Sequence, residues 1–269
     1  MMSTPQIILS AQNFDIYDGD GQDLIARTGA VSIEMLERAG GQGVILGHSE
    51  TGDSLEVIKN KLLTILHKRE EKPELLPYIT LLVGESWEEF NGNTIENVSK
   101  IVAEKLLILK DLPKNLLQNL VIGYEPKWGS RGSGHDDTPP PEPELISSCV
   151  KEMKLHLENI FGETGKKIPI IYGGRSTPQR TEQILNDTNI SGLILGSAAS
   201  TVEKTISIAR AMEKTMGQRQ KILHANFKAF NLLDSYQAYI NELTKFDDTF
   251  TIYLSPNYTD IRLLKSLLV

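Results

Sequence analysis

One glutamate in this sequence stands where a general base would be expected. Glu125 ends the apolar stretch NLVIGY and precedes the loop PKWGSRGSGHDDT (126–138), which combines Pro126 and Trp128 with several glycines. Such a loop can hinge over a site as a lid, and a carboxylate shielded from water gains the proton affinity that a base needs. Taken alone, a glutamate at a strand end can equally be a structural residue that forms a salt bridge with a loop.

Three further features could complete a site around such a base. His48 ends the stretch VILGH, and an imidazole at a helix N-terminus stays neutral and can donate a hydrogen bond to a carbonyl. Lys228, two residues after Asn226, could offset a developing negative charge. Gly173–Gly174 and Gly196–Ser197 end two successive apolar stretches, and glycine lets backbone N–H groups approach a phosphate closely. Each feature has a purely structural explanation when considered by itself.

Eight short apolar stretches predict the strands that would position these residues. Each is almost continuously apolar, as strands covered on both faces of a parallel sheet are. They span residues 5–12, 42–48, 77–85, 119–125, 168–174, 191–197, 221–228 and 250–256. Because amphipathic segments separate them, the expected fold is α/β, a (β/α)8 barrel with its site at the C-terminal ends of the strands. An open, doubly wound sheet is the alternative, although AQNFDI stands where its glycine-rich turn would follow the first strand.

Two connecting segments show a clear helical period. In 142–161 one apolar stripe is formed by Leu145, Ile146, Cys149, Val150, Met153, Leu157 and Ile160. Cys149 is therefore expected to be a core residue. In 53–70, Asp53 or Ser54 is expected to cap a helix. The residues expected to face inward from that helix are Leu55, Ile58, Leu62 and Ile65.

Length and composition indicate a globular protein. The 269 residues are 40% hydrophobic and 23% charged, which excludes fibrous and low-complexity classes. A net charge of −7 argues against nucleic-acid binding, and no apolar run is long enough to cross a bilayer. The single cysteine excludes an internal disulfide and a thiolate metal site. Since the start also lacks a basic signal segment, we expect a cytoplasmic protein. We also expect residues 1–269 to form one barrel domain.

A base, a neutral electrophile, a cation and phosphate turns on one barrel face would suit proton transfer next to a carbonyl in a small phosphorylated substrate. The same segments resemble those of the triosephosphate isomerase family, and the similarity runs through essentially the whole chain. The segments that carry it are AQN (11–13), TGAVS (28–32), VILGHSE (44–50), LLVGE (81–85), GYEPKWG (123–129), YGGRS (172–176), LILGSA (193–198) and ANFKAFN (225–231).

This resemblance implies a role for each matching residue. Glu125 would shuttle a proton between two substrate carbons while His48 polarises the carbonyl. Asn226 and Lys228 would stabilise the enediolate, with Glu50 bridging to Lys228. The phosphate would be held by Gly132, Gly174, Arg175, Ser176, Gly196 and Ser197. The lid would be supported by Pro126, Trp128, Tyr172 and Glu85. The reaction would interconvert dihydroxyacetone phosphate and glyceraldehyde 3-phosphate, with no metal or redox cofactor.

The order of the segments differs from that of the family. The family's Asn-x-Lys strand opens its chain, whereas ANFKAFN lies on the seventh predicted strand and the chain starts at the counterpart of the third. Residues 216–228, MGQRQKILHANFK, resemble an N-terminus joined behind a helix that ends in AMEKT. A circular permutation, with the old ends fused near residues 214–217, would explain this order, whether it is natural or engineered.

The resemblance also implies a homodimer with an altered interface. Gln12, Asn13 and Thr28 match the interface loop, and the counterpart of Thr28 enters the neighbouring subunit's active site. This loop carries an acidic insertion over 18–23. After Glu50 the chain continues with TGDS, where the family has two arginines, and Ala30 stands where a glutamate would pair with one of them. Because both partners are lost together, no unpaired charge remains and a dimer is still expected.

Arg175 stands where the family has a serine that locks the lid and binds phosphate. Three consequences are open: the arginine donates to the phosphate, or it turns outward while Ser176 replaces the serine, or it weakens lid closure.

Two other functions remain as alternatives. A catalytically impaired paralogue or an engineered scaffold would keep the phosphate-ligand pocket without turnover. Another phosphate-binding barrel isomerase or an aldolase would need a different base or a lysine that forms a Schiff base.

Overall fold

Eight parallel strands close into a barrel within residues 4–16, 28–114 and 118–268, which are those that the computed structural model describes. Each strand pairs with the next along the chain, and the eighth pairs with the first. The strands are β1 (Gln6–Ala11), β2 (Gly43–Leu46), β3 (Tyr78–Val83), β4 (Leu120–Tyr124), β5 (Ile170–Gly173), β6 (Gly192–Leu195), β7 (Lys221–Asn226) and β8 (Phe250–Ser255). The predicted (β/α)8 barrel is confirmed, and the alternative of an open sheet is wrong. The insertion expected at 18–23 lies outside the described residues.

Helices occupy the connections between the strands. In the described part of the chain they are α1 (Ile33–Ala39), α2 (Leu55–Glu71), α3 (Trp87–Phe90), α4 (Ile95–Glu104), α5 (Pro143–Phe161), α6 (Glu163–Lys167), α7 (Pro178–Asp187), α8 (Val202–Met216), α9 (Tyr236–Leu243) and α10 (Ile261–Leu267). A hydroxyl accepts an N–H of the first turn at α1, α2, α4, α7 and α8; these caps are Ser32, Ser54, Thr94, Thr177 and Thr201. None of these helices is long and apolar enough to cross a membrane.

The core has two layers. Inside the barrel each strand contributes one apolar side chain to a single cluster formed by Ile8, Ile45, Leu82, Val121, Ile171, Ile194, Ile222 and Tyr253. The larger cluster combines strand residues of the other face with the buried faces of the helices. Because both faces of every strand are covered by apolar side chains, the near-continuous apolar runs in the sequence are explained.

The predicted helical faces are confirmed except at one residue. All seven stripe residues of α5 are buried, and Cys149 is a buried free thiol. Ser54 caps α2, but Leu55 is 39% exposed, so its predicted inward orientation is wrong. The whole first turn of α2 is exposed, and its packing against the barrel begins only at Ile58.

Candidate active site

Most of the predicted catalytic and phosphate-binding residues converge on one pocket at the C-terminal ends of the strands. Eight of them line it: His48, Glu125, Gly174, Arg175, Gly196, Ser197, Asn226 and Lys228. Ser130 and Arg131 of the lid also line this pocket and were not predicted. Their position within the loop after Glu125 was the available signal. The closed parallel barrel is what brings strand ends from distant parts of the chain to one face.

Glu125 and His48 face each other in this pocket, and both are buried. Glu125 Oε1 lies 3.4 Å from His48 Nε2. Glu125 Oε2 accepts a hydrogen bond from the Ser49 amide at 3.0 Å. His48 begins the short 3₁₀ turn Ser49–Thr51, and its Nδ1 accepts the Glu50 amide at 3.1 Å. This bond assigns the proton of a neutral imidazole to Nε2, the atom that faces Glu125 and the pocket.

Lys228 is held in a strained backbone conformation beside the pocket. Its φ is +47°, in the left-handed region that side chains other than glycine seldom adopt. Asn226 Oδ1 accepts the Lys228 amide at 3.0 Å, and Gln12 Nε2 donates to the Lys228 carbonyl at 2.7 Å. The Lys228 ammonium contacts the Glu50 carboxylate. Strained backbone conformations of this kind are common at functional sites, where surrounding hydrogen bonds and packing hold them in place.

Close approach explains the glycines of the two turns. A Cβ at Gly196 would lie 2.8 Å from Lys228 Cε, and one at Gly174 would lie 2.2 Å from the hydroxyl of Tyr172. Tyr172 is fully buried, and burial raises its pKa to about 12. Ser197 begins a 3₁₀ turn (Ser197–Ser200), whose first N–H groups can bind an anion.

Two predicted phosphate residues are placed elsewhere. Ser176 is not among the described residues that line the pocket, and its hydroxyl donates to the Gly174 carbonyl at 3.3 Å. Gly132 lines the adjoining cavity, and its amide donates to the Asp136 carboxylate at 3.0 Å. In this lid position the Gly132 N–H is therefore bound within the lid itself.

The lid rests on the end of β3. Pro126 precedes the 3₁₀ turn Lys127–Gly129, and Trp128 Nε1 donates to Glu85 Oε1 at 2.8 Å. Tyr124 also donates to Glu85 Oε1, at 3.2 Å, while Glu85 Oε2 has no hydrogen-bond partner among the described residues. Burial is the largest influence on the Glu85 carboxyl and raises its pKa.

Aromatic stacking adds to the lid contacts, and sequence reasoning missed it. Trp128 stacks on Phe90 with ring centroids 4.0 Å apart, and His135 stacks on Trp87 at 4.4 Å. Trp87 and Phe90 are three residues apart on α3, directly after the Glu85 segment. That spacing could have indicated an aromatic platform for the lid.

Arg175 is directed toward the lid. Its guanidinium donates through Nε to the Gly129 carbonyl at 3.2 Å and through Nη1 to the Asp136 carbonyl at 2.8 Å. Nη2 donates to the Thr138 carbonyl. The sequence did not predict this arrangement, because the three carbonyls belong to backbone that is distant along the chain.

Asn13, one of the predicted interface residues, binds a buried lysine that was also missed. Lys61 of α2 is 3% exposed, and its Nζ donates to Asn13 Oδ1 at 2.9 Å and to Asp53 Oδ2 at 2.7 Å. Gln12 is tied to the Lys228 segment, whereas Thr28 is exposed. Lys61 therefore links the loop after β1 to the loop that follows Glu50.

Comparison with known proteins identifies the family. A family model described as "Triosephosphate isomerase" matches residues 2–212. The triosephosphate isomerase of Mycoplasmoides gallisepticum is 31% identical over 195 residues, which cover 69% of this chain and 70% of the relative. That of Lawsonia intracellularis is 32% identical over 209 residues, 76% of this chain and 75% of the relative. Since the family match extends over well more than half of its residues, the chain belongs to the triosephosphate isomerase family and is an isomerase.

Proposed function

We propose that this chain interconverts dihydroxyacetone phosphate and glyceraldehyde 3-phosphate through an enediolate. The observation that carries the proposal is the pairing of Glu125 Oε1 with His48 Nε2 at 3.4 Å, in a pocket that also holds Lys228 and two glycine turns. A buried carboxylate, an imidazole N–H and an ammonium are the groups needed to move a proton next to a carbonyl.

In the proposed reaction Glu125 removes a proton from the carbon next to the carbonyl. The electron pair of that C–H bond forms the C=C bond of the enediolate, and the carbonyl π pair moves to oxygen. His48 Nε2–H and the Lys228 ammonium stabilise the negative oxygen. Glu125 then returns the proton to the former carbonyl carbon. The hydroxyl proton of the other carbon moves, by way of His48, to the enediolate oxygen, so that the new carbonyl forms on that other carbon as the C=C bond is lost. Because Glu125 Oε2 is bound to the Ser49 amide at 3.0 Å, the carboxylate has to leave that amide to reach the substrate.

A coupled assay of the purified protein tests this proposal. Glu125→Gln should lower kcat by roughly three orders of magnitude, since general-base catalysis contributes about 10² to 10⁴ in rate. Glu71→Gln, at the exposed end of α2, is the matched control and should keep full activity. If the wild-type protein bound a phosphate ligand but showed no turnover, the impaired paralogue or scaffold would be favoured instead. Borohydride trapping of a carbonyl substrate on Lys228 would favour an aldolase.

We also propose that the barrel is circularly permuted and that residues 1–269 form one domain. In support, the family match ends at residue 212, and the segment beyond it supplies β7 and β8, which pair with β6 and β1. Helix α8 ends at Met216, and β7 begins at Lys221, so the proposed fusion near 214–217 covers the last residues of α8 and the first residue of the short connection to β7.

Reordering the chain tests the permutation. Helix α10, which ends at Leu267, packs against β1, which begins at Gln6, so residues 216–269 can be followed by residues 1–215 through one more helix-to-strand connection. The reordered protein should fold with a similar thermal midpoint and keep its kcat. Loss of cooperative unfolding in the reordered chain would contradict the proposal.

A homodimer is proposed on the resemblance of Gln12, Asn13 and Thr28 to the family's interface loop. A cavity lined by Asn13, Phe14 and Tyr258 adjoins this loop and could receive a segment of a second copy. Sedimentation equilibrium should give twice the mass of the chain, and a concentration-independent single-chain mass would contradict the dimer.

A further inference from the structure

Arg175 fastens two separate limbs of the lid to the end of β5. The lid (126–138) has a first limb, 126–130, and a second limb, 134–138. The guanidinium binds the carbonyl of Gly129 in the first limb and the carbonyls of Asp136 and Thr138 in the second. Nε, Nη1 and Nη2 of one side chain are all used in these bonds.

Other contacts show which lid position these bonds favour. The Gly132 amide is bound to the Asp136 carboxylate at 3.0 Å, and Gly132 lines the cavity next to the phosphate pocket. At the start of the lid, the Glu125 carboxylate is held by the Ser49 amide at 3.0 Å. The resemblance implies that a closed lid brings the Gly132 amide to the phosphate, whereas here that amide is bound within the lid, so we term this position the open lid.

We propose that Arg175 is a positioning residue that holds the lid open and does not bind the phosphate itself. A guanidinium can span three carbonyls because its five N–H donors form a rigid planar fork, whereas a lysine offers one nitrogen. The proposal rests on the proposed function only in taking a phosphate-bearing ligand as the trigger of closure. The apparent affinity for such a ligand is lower when a smaller fraction of the molecules is able to close the lid. Bonds specific to the open lid therefore weaken ligand binding, and their removal should strengthen it.

The two tryptophans of the chain allow this to be measured directly. Trp128 lies in the first limb, and Trp87 stacks on His135 of the second limb at 4.4 Å. Intrinsic fluorescence therefore reports on the lid. A suitable probe is glycerol 3-phosphate, which carries the phosphate but has no carbonyl to isomerise.

Arg175→Gln and Arg175→Lys should both bind glycerol 3-phosphate about three to ten times more tightly than the wild type, the range expected when one or two net hydrogen bonds of the open state are lost. Stopped-flow fluorescence should show faster closure in both variants. Arg219→Gln is the matched control, because Arg219 also donates to backbone carbonyls, those of Met216 and Thr215, but lies before β7 at the opposite end of the barrel. Its affinity should be unchanged.

Two results would overturn the proposal. Weaker binding by Arg175→Gln that is restored in Arg175→Lys would assign the arginine to the phosphate, and equal affinity in all proteins would show that the three bonds do not bias the lid. Hydrogen exchange without ligand separates this question from the proposed function. Lid amides at 129–138 should exchange faster in the Arg175 variants than in wild type, even if the wild type fails to bind the probe; equal exchange would contradict the open-lid role.

Discussion

Glu125 and His48 are joined through the residue that follows the histidine. Glu125 Oε1 lies 3.4 Å from His48 Nε2, while Oε2 accepts the amide of Ser49 at 3.0 Å. The proposed base is thus held by the same turn that orients the proposed electrophile. Since Glu125 immediately precedes the lid, movement of the lid and release of the carboxylate from Ser49 are expected to occur together.

Removing the imidazole should affect the chemical step more than binding. His48→Gln keeps an N–H donor at a similar reach but on a more flexible side chain, so we expect kcat to fall about 10²-fold, as when one preorganised donor is lost, with KM changing little. His67→Gln, on an exposed part of α2, is the control. Steady-state kinetics in both reaction directions would measure the effect, and an unchanged kcat in His48→Gln would remove the histidine from the mechanism.

A methyl group at Gly196 should displace the lysine of the site. The added Cβ would lie 2.8 Å from Lys228 Cε, too close for the present side-chain position. Gly196→Ala is expected to lower kcat/KM about tenfold or more, because small misplacements of catalytic groups are costly. In Lys228→Ala the added methyl has no side chain to displace, so Gly196→Ala should then have little further effect. If the two losses were additive in this double-mutant cycle, the methyl group would lower activity by a route other than displacing Lys228.

The buried Lys61 should matter for stability. Lys61→Met leaves Asp53 and Asn13 without their ammonium partner. We expect the free energy of unfolding to fall by about 2 to 4 kcal/mol, close to the usual cost of breaking a buried ion pair. The double variant Lys61→Met/Asp53→Asn should recover part of this loss because no lone charge remains. Lys59→Met, on the more exposed side of α2, is the control. Urea unfolding measures all three, and a neutral Lys61→Met would contradict the expectation.

His224 should make the protein sensitive to acid. Its ring is fully buried, with Nε2 2.7 Å from Ser255 Oγ and Nδ1 3.4 Å from Thr80 Oγ1. Burial, and to a lesser extent His48, lowers its pKa from 6.5 to about 3. Below pH 6.5 the unfolded chain takes up a proton that the folded chain does not bind until about pH 3, so folding free energy is lost as the pH falls through this window.

The size of this effect can be isolated by comparing slopes. Between pH 6.5 and 4.5, His224 should account for about 2 to 3 kcal/mol of the loss, at 1.36 kcal/mol per pH unit. His224→Gln is expected to be less stable at pH 7 but to lose less on acidification. Urea unfolding at several pH values checks this, with His67→Gln as the exposed control. If the free energy of unfolding fell equally with pH in wild type and His224→Gln, His224 would not be the group that makes stability depend on pH.

Much of the fold and of the site could be predicted because the signals are local. Apolar runs predicted all eight strands, and hydroxyl residues predicted helix starts such as Ser54. Glu125, His48, Asn226 and Lys228 were found because each lies at or next to the end of its strand, and a parallel barrel gathers those ends on one face. Leu55 was misjudged because helical period describes the face of a residue but not how far the neighbouring strands extend beneath it.

The sequence by itself determined the barrel, through the pattern of its apolar runs, and eight of the residues that line the pocket, most of them at strand ends. The family followed from the resemblance of short local segments, which the family match bears out. Only the tertiary structure decided what the long polar side chains bind. Arg175 reaches lid carbonyls and Lys61 reaches Asn13, partners that are far away in sequence. The physical reason is that a flexible charged side chain has many accessible rotamers, and the carbonyl or carboxylate that selects one of them is positioned by the packing of other elements.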